Sequence, residues 1–448
     1  MVVDLLLQNG VNDARIYTSQ DDILQAFVGS GINLTIGIFN TYAISTKEQA
    51  KAWVQKNVPY YSSANIRQVY IGNYIFTQAL NNTKLIDAGI NTLTLVQTAL
   101  NEAGYGDHIK ATLPHTFAIV KDNITRPSEA EFKDKLKDAM NTTLRFLQQN
   151  NAPFVVEIFP ISYVTENKLD PSFAFPDNKS THVVTDVNGA VYTNVFEFVY
   201  DSFVWALEKA GAPDMKLIVG QVGWPTDGYP GANSSTAERF YKSFLPFVAS
   251  NKGTPKRPGS PIDSYVHCLT DESKMPDEIP YARHWGIYRT NGEPKFKIDL
   301  TGQGRDIFPA RAKGIMRMPE RWCILNGEKA GDREKVMHEF RTACGYADCT
   351  SLAPGGSCSQ LSFEDNASYA FNMFFQASFQ DENACYFNGL GMVSLDNPST
   401  DECVFPVEVV KGQQNDFGNY SGTRTHHMPS FGAIFLLSLS IAWALVLN

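Results

Sequence analysis

Cysteine is missing from the chain ahead of Cys268, so no disulfide framework holds the larger N-terminal part together. A strongly basic surface is missing too. The 38 Lys and Arg are outnumbered by 47 Asp and Glu, giving a net charge of −9 without any Lys/Arg stripe, which removes the electrostatic footprint of a nucleic-acid binder. A neutral partner such as a polysaccharide fits such a chain at least as well. No Gly-x-Gly-x-x-Gly follows the first strand-like run and no phosphate loop occurs, so no cofactor is expected. The opening Met1-Val-Val-Asp-Leu-Leu-Leu-Gln lacks a basic region and a small-residue cleavage site, so no signal peptide is visible. No internal repeat is found.

What is present is a 448-residue chain, 43% hydrophobic and 19% charged, long enough for one barrel-sized domain and a smaller one. Six cysteines, Cys323, Cys344, Cys349, Cys358, Cys385 and Cys403, crowd the C-terminal third and read as a disulfide framework with 15 conceivable connectivities. Zinc would need close Cys-x-x-Cys or Cys/His pairs, which this cluster lacks, and no metal site is expected. Cys268 stands apart and is expected to be a buried free thiol. Eight Asn-x-Ser/Thr triplets, at Asn33, Asn81, Asn123, Asn141, Asn178, Asn233, Asn366 and Asn419, lean the same way as the cysteines, toward an oxidising, extracellular compartment. Residues 431–448 form an uncharged apolar tail preceded by a polar spacer and by Ser421-Gly422-Thr423. That order matches a GPI-attachment signal at Ser421, with a spanning helix as the rival reading.

Between residues 13 and 295, apolar runs at 14–17, 34–39, 66–73, 109–113, 154–159, 217–221 and 264–269 alternate with amphipathic segments such as 129–149 and 195–210. Seven β/α units predict an α/β fold with a parallel barrel; an open doubly wound sheet is the alternative. A (β/α)8 barrel needs an eighth strand, and the first would precede the helix pattern over 2–8, so it is missing from this sequence. The predicted divisions are a barrel over 1–300, a linker over 301–321, a six-cysteine module over 322–406, a polar tail over 407–430 and the apolar tail.

Several stretches resemble plant β-1,3-glucanases of glycoside hydrolase family seventeen: Ala14-Arg15-Ile16-Tyr17, Gly223-Trp224-Pro225, Asn251-Lys252-Gly253-Thr254-Pro255-Lys256-Arg257-Pro258-Gly259, and Arg283-His284-Trp285-Gly286-Ile287-Tyr288. The resemblance implies a (β/α)8 TIM barrel whose cleft, at the carboxyl ends of the strands, takes β-1,3-glucan such as callose. The second module, with Trp322-Cys323, Asp348-Cys349, Pro354-Gly355-Gly356-Ser357-Cys358 and Ala367-Ser368-Tyr369-Ala370-Phe371-Asn372, is similar to the six-cysteine carbohydrate-binding module appended to such enzymes. There the pairing implied is Cys323–Cys385, Cys344–Cys403 and Cys349–Cys358, with Tyr369 and Phe371 expected in its core.

A retaining glycosidase needs two carboxyl groups about 5–5.5 Å apart, one a protonated acid and the other an ionised nucleophile. The family's Gly-Asn-Glu acid motif reads Gly72-Asn73-Tyr74 here, and its nucleophile position before Gly-Trp-Pro is Gln221. Both catalytic glutamates are thus replaced, which implies a glucan-binding relative without hydrolysis. The rival readings are a hydrolase or transglycosylase with an unorthodox site, Tyr74 paired with Glu157, and a truncated chain that does not fold. Tyr17, Asn73, Glu157, Phe159, Trp224 and Glu272 are expected to line the cleft, with Tyr17 and Trp224 offering stacking faces, or core packing, and Glu157 either entering the cleft or lying solvated or paired with a lysine. Asp271-Glu272 resembles the family's Asp-Glu cleft motif, but Lys274 follows two residues after the glutamate where the family has three. The expected location is the outer face of the plasma membrane or the cell wall.

Overall fold

In the computed structural model, residues 1–39, 44–59, 64–80, 82–273, 275 and 280–410 are described. Lys274, Asn81, Asn419, the Ser421 site and the 431–448 tail lie outside them.

Eight strands build the larger domain: β1 (Asp13–Arg15), β2 (Asn33–Ile38), β3 (Ile66–Ile71), β4 (Lys110–Thr112), β5 (Pro114–Thr116), β6 (Phe154–Ile158), β9 (Leu217–Val222) and β10 (Asp263–Val266); β7 (Val184–Thr185) and β8 (Val191–Tyr192) form a separate small hairpin. They pair in parallel in the orders β1-β2-β3-β4 and β5-β6-β9-β10. Only Leu113 separates β4 from β5, so one extended segment hands the chain from the first sheet to the second. The described residues therefore supply seven strand positions, the seven that the sequence pattern predicts.

Helices α1 (Val2–Gln8), α2 (Asp21–Phe27), α3 (Lys47–Asn57), α4 (Ile75–Gln78), α5 (Thr83–Glu102), α6 (Lys137–Gln149), α7 (Pro160–Glu166), α8 (Val195–Lys209) and α9 (Ser234–Ala249) intervene. Side chains set several of their starts. Thr46 and Gln49 close a capping box on α3, Asn194 caps α8 through Glu197 N, and Asn233 with Thr236 caps α9. The helix expected over 129–149 begins only at Lys137. Before it, Glu129 binds Thr125 N and Arg126 Nε, and Phe132 bridges to Val120, so that segment is held by loop contacts. One continuous apolar core joins strands and helices.

The second module pairs β11 (Trp322–Leu325) antiparallel with β12 (Gly391–Ser394) and packs α10 (Arg333–Tyr346) and α11 (Phe363–Ala377) on them. Tyr369 and Phe371 are in its core, as expected. The cysteines pair Cys323–Cys385, Cys344–Cys349 and Cys358–Cys403. The first is the pairing expected; the second and third replace Cys344–Cys403 and Cys349–Cys358. The reason is local: α10 stops at Tyr346, and the chain turns back so that the Cα atoms of Cys344 and Cys349 lie 5.4 Å apart, within bonding reach. That leaves Cys358 to Cys403, at 4.8 Å. Residues 407–410, expected to begin the polar tail, are bonded to the 301–321 segment: Met318 N donates to Glu408 O, and Val410 N to Met316 O.

Module and barrel meet at the loops that follow β9 and β10. Asp227 accepts from Ser357 N and Oγ at 2.9 and 2.6 Å, and Asp348 pairs with Arg283 at 3.1 Å and His284 at 3.2 Å.

Candidate active site

β3 runs out through Gly72 and Asn73 to Tyr74, which starts α4 from a left-handed conformation, φ 55° and ψ 33°. That backbone costs a non-glycine residue about 1 kcal/mol or more, so the surrounding contacts must fix it. β6 sets Glu157 in register opposite Gln221 of β9. β1 delivers Arg15, and Tyr17 follows two residues later. Gly220 makes room in the barrel interior: a Cβ there would lie 2.7 Å from Val155 Cγ1 and 3.1 Å from Arg15 Nη1. A side chain there would crowd the guanidinium that reaches Gly220 O at 2.9 Å and Glu157 Oε1 at 2.7 Å.

Three of the sequence-predicted residues form one chain of hydrogen bonds. The Tyr74 hydroxyl donates to Gln221 Oε1 at 3.1 Å, and Gln221 Nε2 donates to the Tyr17 hydroxyl. Both ends of the amide are thus occupied by phenols. Burial raises the Tyr17 and Tyr74 hydroxyls well above the ordinary tyrosine range, with the Glu157 carboxylate adding to the effect. The chain is neutral across the working pH range.

Glu157 is neither solvated nor paired with a lysine, which corrects the expectation that set it in those roles. Its side chain is fully buried, and Arg15 is its ion-pair partner. Burial holds the Glu157 acid above the ordinary carboxylate range, while Arg15 first and Tyr74 second pull it down. Burial works against the Arg15 charge, but the Glu157 carboxylate outweighs it, and the guanidinium also lies 4.7 Å from the ring centres of Tyr17 and Tyr70 in a cation–π arrangement.

Trp224 takes the core alternative. It is 3% exposed, lies 4.5 Å from Phe175 and 5.4 Å from Phe240, and donates Nε1 to Thr236 Oγ1, so it has no free face to offer a sugar. Asn73 is half-buried beside Tyr74. Phe159 stands edge-on to Trp285 at 5.4 Å and to His267 at 6.4 Å. Burial, then the charge of Asp271, pushes Glu272 up to about 7. The neighbouring Asp271 differs. Burial would raise it, but Lys295 at 2.6 Å and His284 outweigh that and hold it below its ordinary range.

Sequence reasoning gave no role to Arg15, although it quoted the stretch containing it, and missed His267. Cys268 is free, as expected, but half-buried. Burial, then Arg15, pushes His267 down to about 3.

The profile of Glycosyl hydrolases family 17 matches residues 1–300, and that of the X8 domain matches residues 321–392. Glucan endo-1,3-beta-glucosidase 8 of Arabidopsis thaliana is 39% identical over 425 residues, covering 93% of this chain and 87% of its own length. Glucan endo-1,3-beta-glucosidase 5 of the same plant is 36% identical over 416 residues, covering 91% and 84%. Among solved structures, CJP38, described as a beta-1,3-glucanase and allergen of Cryptomeria japonica pollen, is 30% identical with a TM-score of 0.62, covering 67% of this chain and 93% of that one. With the profile match over residues 1–300 and the parallel barrel that carries it, the chain belongs to glycosyl hydrolases family 17.

Proposed function

We propose that this chain binds β-1,3-glucan, callose in particular, without hydrolysing it. The observation that carries the reading is the neutral Tyr17–Gln221–Tyr74 chain where the family's mechanism calls for an ionised nucleophile and a tuned acid. An amide has no negative charge to form a glycosyl bond, and a phenol raised by burial is a poor acid near neutrality. Loss of a general acid alone typically costs about 10²–10⁴ in rate. The reacting positions are also too close: the Tyr74 hydroxyl is 3.1 Å from Gln221 Oε1, whereas a retaining pair stands about 5–5.5 Å apart around the sugar. The full chain should be retained on laminarin-type β-1,3-glucan and release no reducing sugar. Tyr74→Glu combined with Gln221→Glu should restore some hydrolysis, and either single change should restore little. Sugar release by the unaltered protein overturns the reading.

One contact favours a second reading, a Tyr74 nucleophile served by Glu157, because the two side chains are close enough to shift one another's acidity. In that case Glu157→Gln abolishes the sugar release. Attachment through a GPI anchor at or near Ser421, on the outer face of the plasma membrane, is part of the proposal. Phosphatidylinositol-specific phospholipase should release the protein; retention with the tail still attached favours a spanning helix.

A further inference from the structure

The segment leaving β10 carries His267, Cys268 and Glu272, each presenting one ligand atom, and these atoms lie within 4.8 Å of one another. We propose that the three form a divalent-metal site for a zinc-class ion at the barrel mouth. Imidazole, thiolate and carboxylate are the donor types such an ion takes, and three protein ligands leave a fourth position for water or a sugar hydroxyl.

The backbone of all three is fixed by neighbours. His267 N donates to Val222 O at 2.8 Å, Cys268 N to Trp285 O at 3.1 Å, Ile287 N to Cys268 O at 3.0 Å, and Glu272 N to Arg283 O at 2.9 Å. The His267 carbonyl lies against Gly223, where a Cβ would come within 2.0 Å of it, so the strand after Gln221 is shaped to this close approach. Phe159 and Trp285 flank the imidazole, at 6.4 and 5.5 Å between ring centres. The Cys268 thiol donates to Thr270 O at 3.0 Å. From ordinary bond lengths, ligand atoms around a four-coordinate zinc stand about 3.3–3.8 Å apart, so the trio closes by about 1 Å through side-chain torsions. Binding forms a metal–sulfur bond and releases the thiol proton to solvent.

The six other cysteines are disulfide-bonded, so a thiolate signal reports Cys268 alone. The disulfide-intact chain titrated with Co(II) should develop a sulfur-to-cobalt charge-transfer band that saturates at one equivalent and is displaced by Zn(II). Cys268→Ser should abolish the band, and His267→Ala or Glu272→Gln should weaken binding at least about tenfold, the loss that even outer-shell changes produce in such sites. Near-ultraviolet circular dichroism checks that each variant is folded. A measurement needing no variant runs beside it: Zn(II) should protect Cys268 in the unaltered chain from alkylation. Absence of the band at excess Co(II), alkylation unaffected by Zn(II), or undiminished affinity in folded His267→Ala and Glu272→Gln overturns the site.

Discussion

Inside the barrel one cation, Arg15, faces one carboxylate, whereas at the module interface one carboxylate, Asp348, faces two cations, Arg283 and His284. Both carboxylates are buried, yet their acidities move in opposite directions. Burial dominates at Glu157 and raises it; at Asp348 burial is overcome by His284, then Arg283 and the Thr350 side chain, and the group is held well below the ordinary range. The number of partners, rather than depth, decides whether desolvation wins. The corrected disulfides follow the same division. Cys344–Cys349 ends beside Asp348 and Cys358–Cys403 ends beside Ser357, so two of the three bonds brace the residues that dock the module. No disulfide supports the Arg15–Glu157 pair, which depends on Gly220 and two tyrosine rings instead.

The largest effect is expected where one partner has no substitute. Arg15→Met leaves the Glu157 carboxylate buried without a cation and should cost about 3–5 kcal/mol of stability, read as a shift in the urea midpoint. Adding Glu157→Gln should recover most of it. If the double variant is no more stable than the single one, the ion pair is not what Arg15 contributes, and its packing against Tyr17 and Tyr70 takes that place.

The interface should respond more gently, because each charge there has a second partner. Asp348→Asn should weaken docking by about 1.5–3 kcal/mol, the usual worth of hydrogen bonds to charged groups. The pH dependence has two limbs. Burial would lower His284, but its bonds to Asp271 and Asp348 raise it to about 10; its contribution is full below the ordinary value of about 6.5 and is lost as pH climbs toward 10. Asp348 and Asp271 are held low, so theirs is full above about pH 4 and fades on acidification. Protease cleavage within 301–321 should therefore be slowest between roughly pH 4 and 6.5 and faster at pH 9.5. Asp348→Asn should flatten the alkaline limb, and an equally steep limb in that variant would remove His284 from the account.

The barrel was legible because each of its strands is an apolar run bounded by helix patterns, and all seven runs fall within a few residues of the observed strands. The cysteine pairing was not, since it depends on where α10 stops and the chain reverses. Part of the site was legible for a plain reason: Tyr74 and Gln221 stand in short motifs that a reader can align by eye. What those residues touch was hidden. Glu157 and Arg15 are 142 positions apart, and only barrel closure brings them to 2.7 Å. The 251–259 stretch, conspicuous in sequence, does structural duty: Lys256 N donates to the buried Asp201, as do Thr254 Oγ1 and the Tyr192 hydroxyl, tying that loop to α8.

A third buried group sharpens the comparison because among the described residues its polar atoms have no hydrogen-bond or ionic partner. His115 in β5 is fully buried, stacks on Phe154 at 4.6 Å, meets Phe76 edge-on at 5.0 Å, and neither ring nitrogen has a hydrogen-bond partner among the described residues. Burial alone pushes it down to about 3. The unfolded chain takes up a proton below about pH 6.5 that the folded chain refuses, so stability should fall by about 1.4 kcal/mol per pH unit from there toward 3. His115→Leu removes two unsatisfied polar atoms, worth about 1–3 kcal/mol, and loses ring stacking, worth about 0.5–1.5 kcal/mol, so at pH 7 the variant should lie between about 0.5 kcal/mol below and about 2.5 kcal/mol above the parent in stability. At pH 5 the gap should have moved about 2 kcal/mol in the variant's favour, from 1.5 units of protonation that only the parent's unfolded state gains. Urea midpoints at the two pH values separate this from packing, which does not titrate. A variant with the parent's full acid sensitivity would show that the proton goes elsewhere, with His267, likewise pushed down to about 3 by burial and then Arg15, the next group to test.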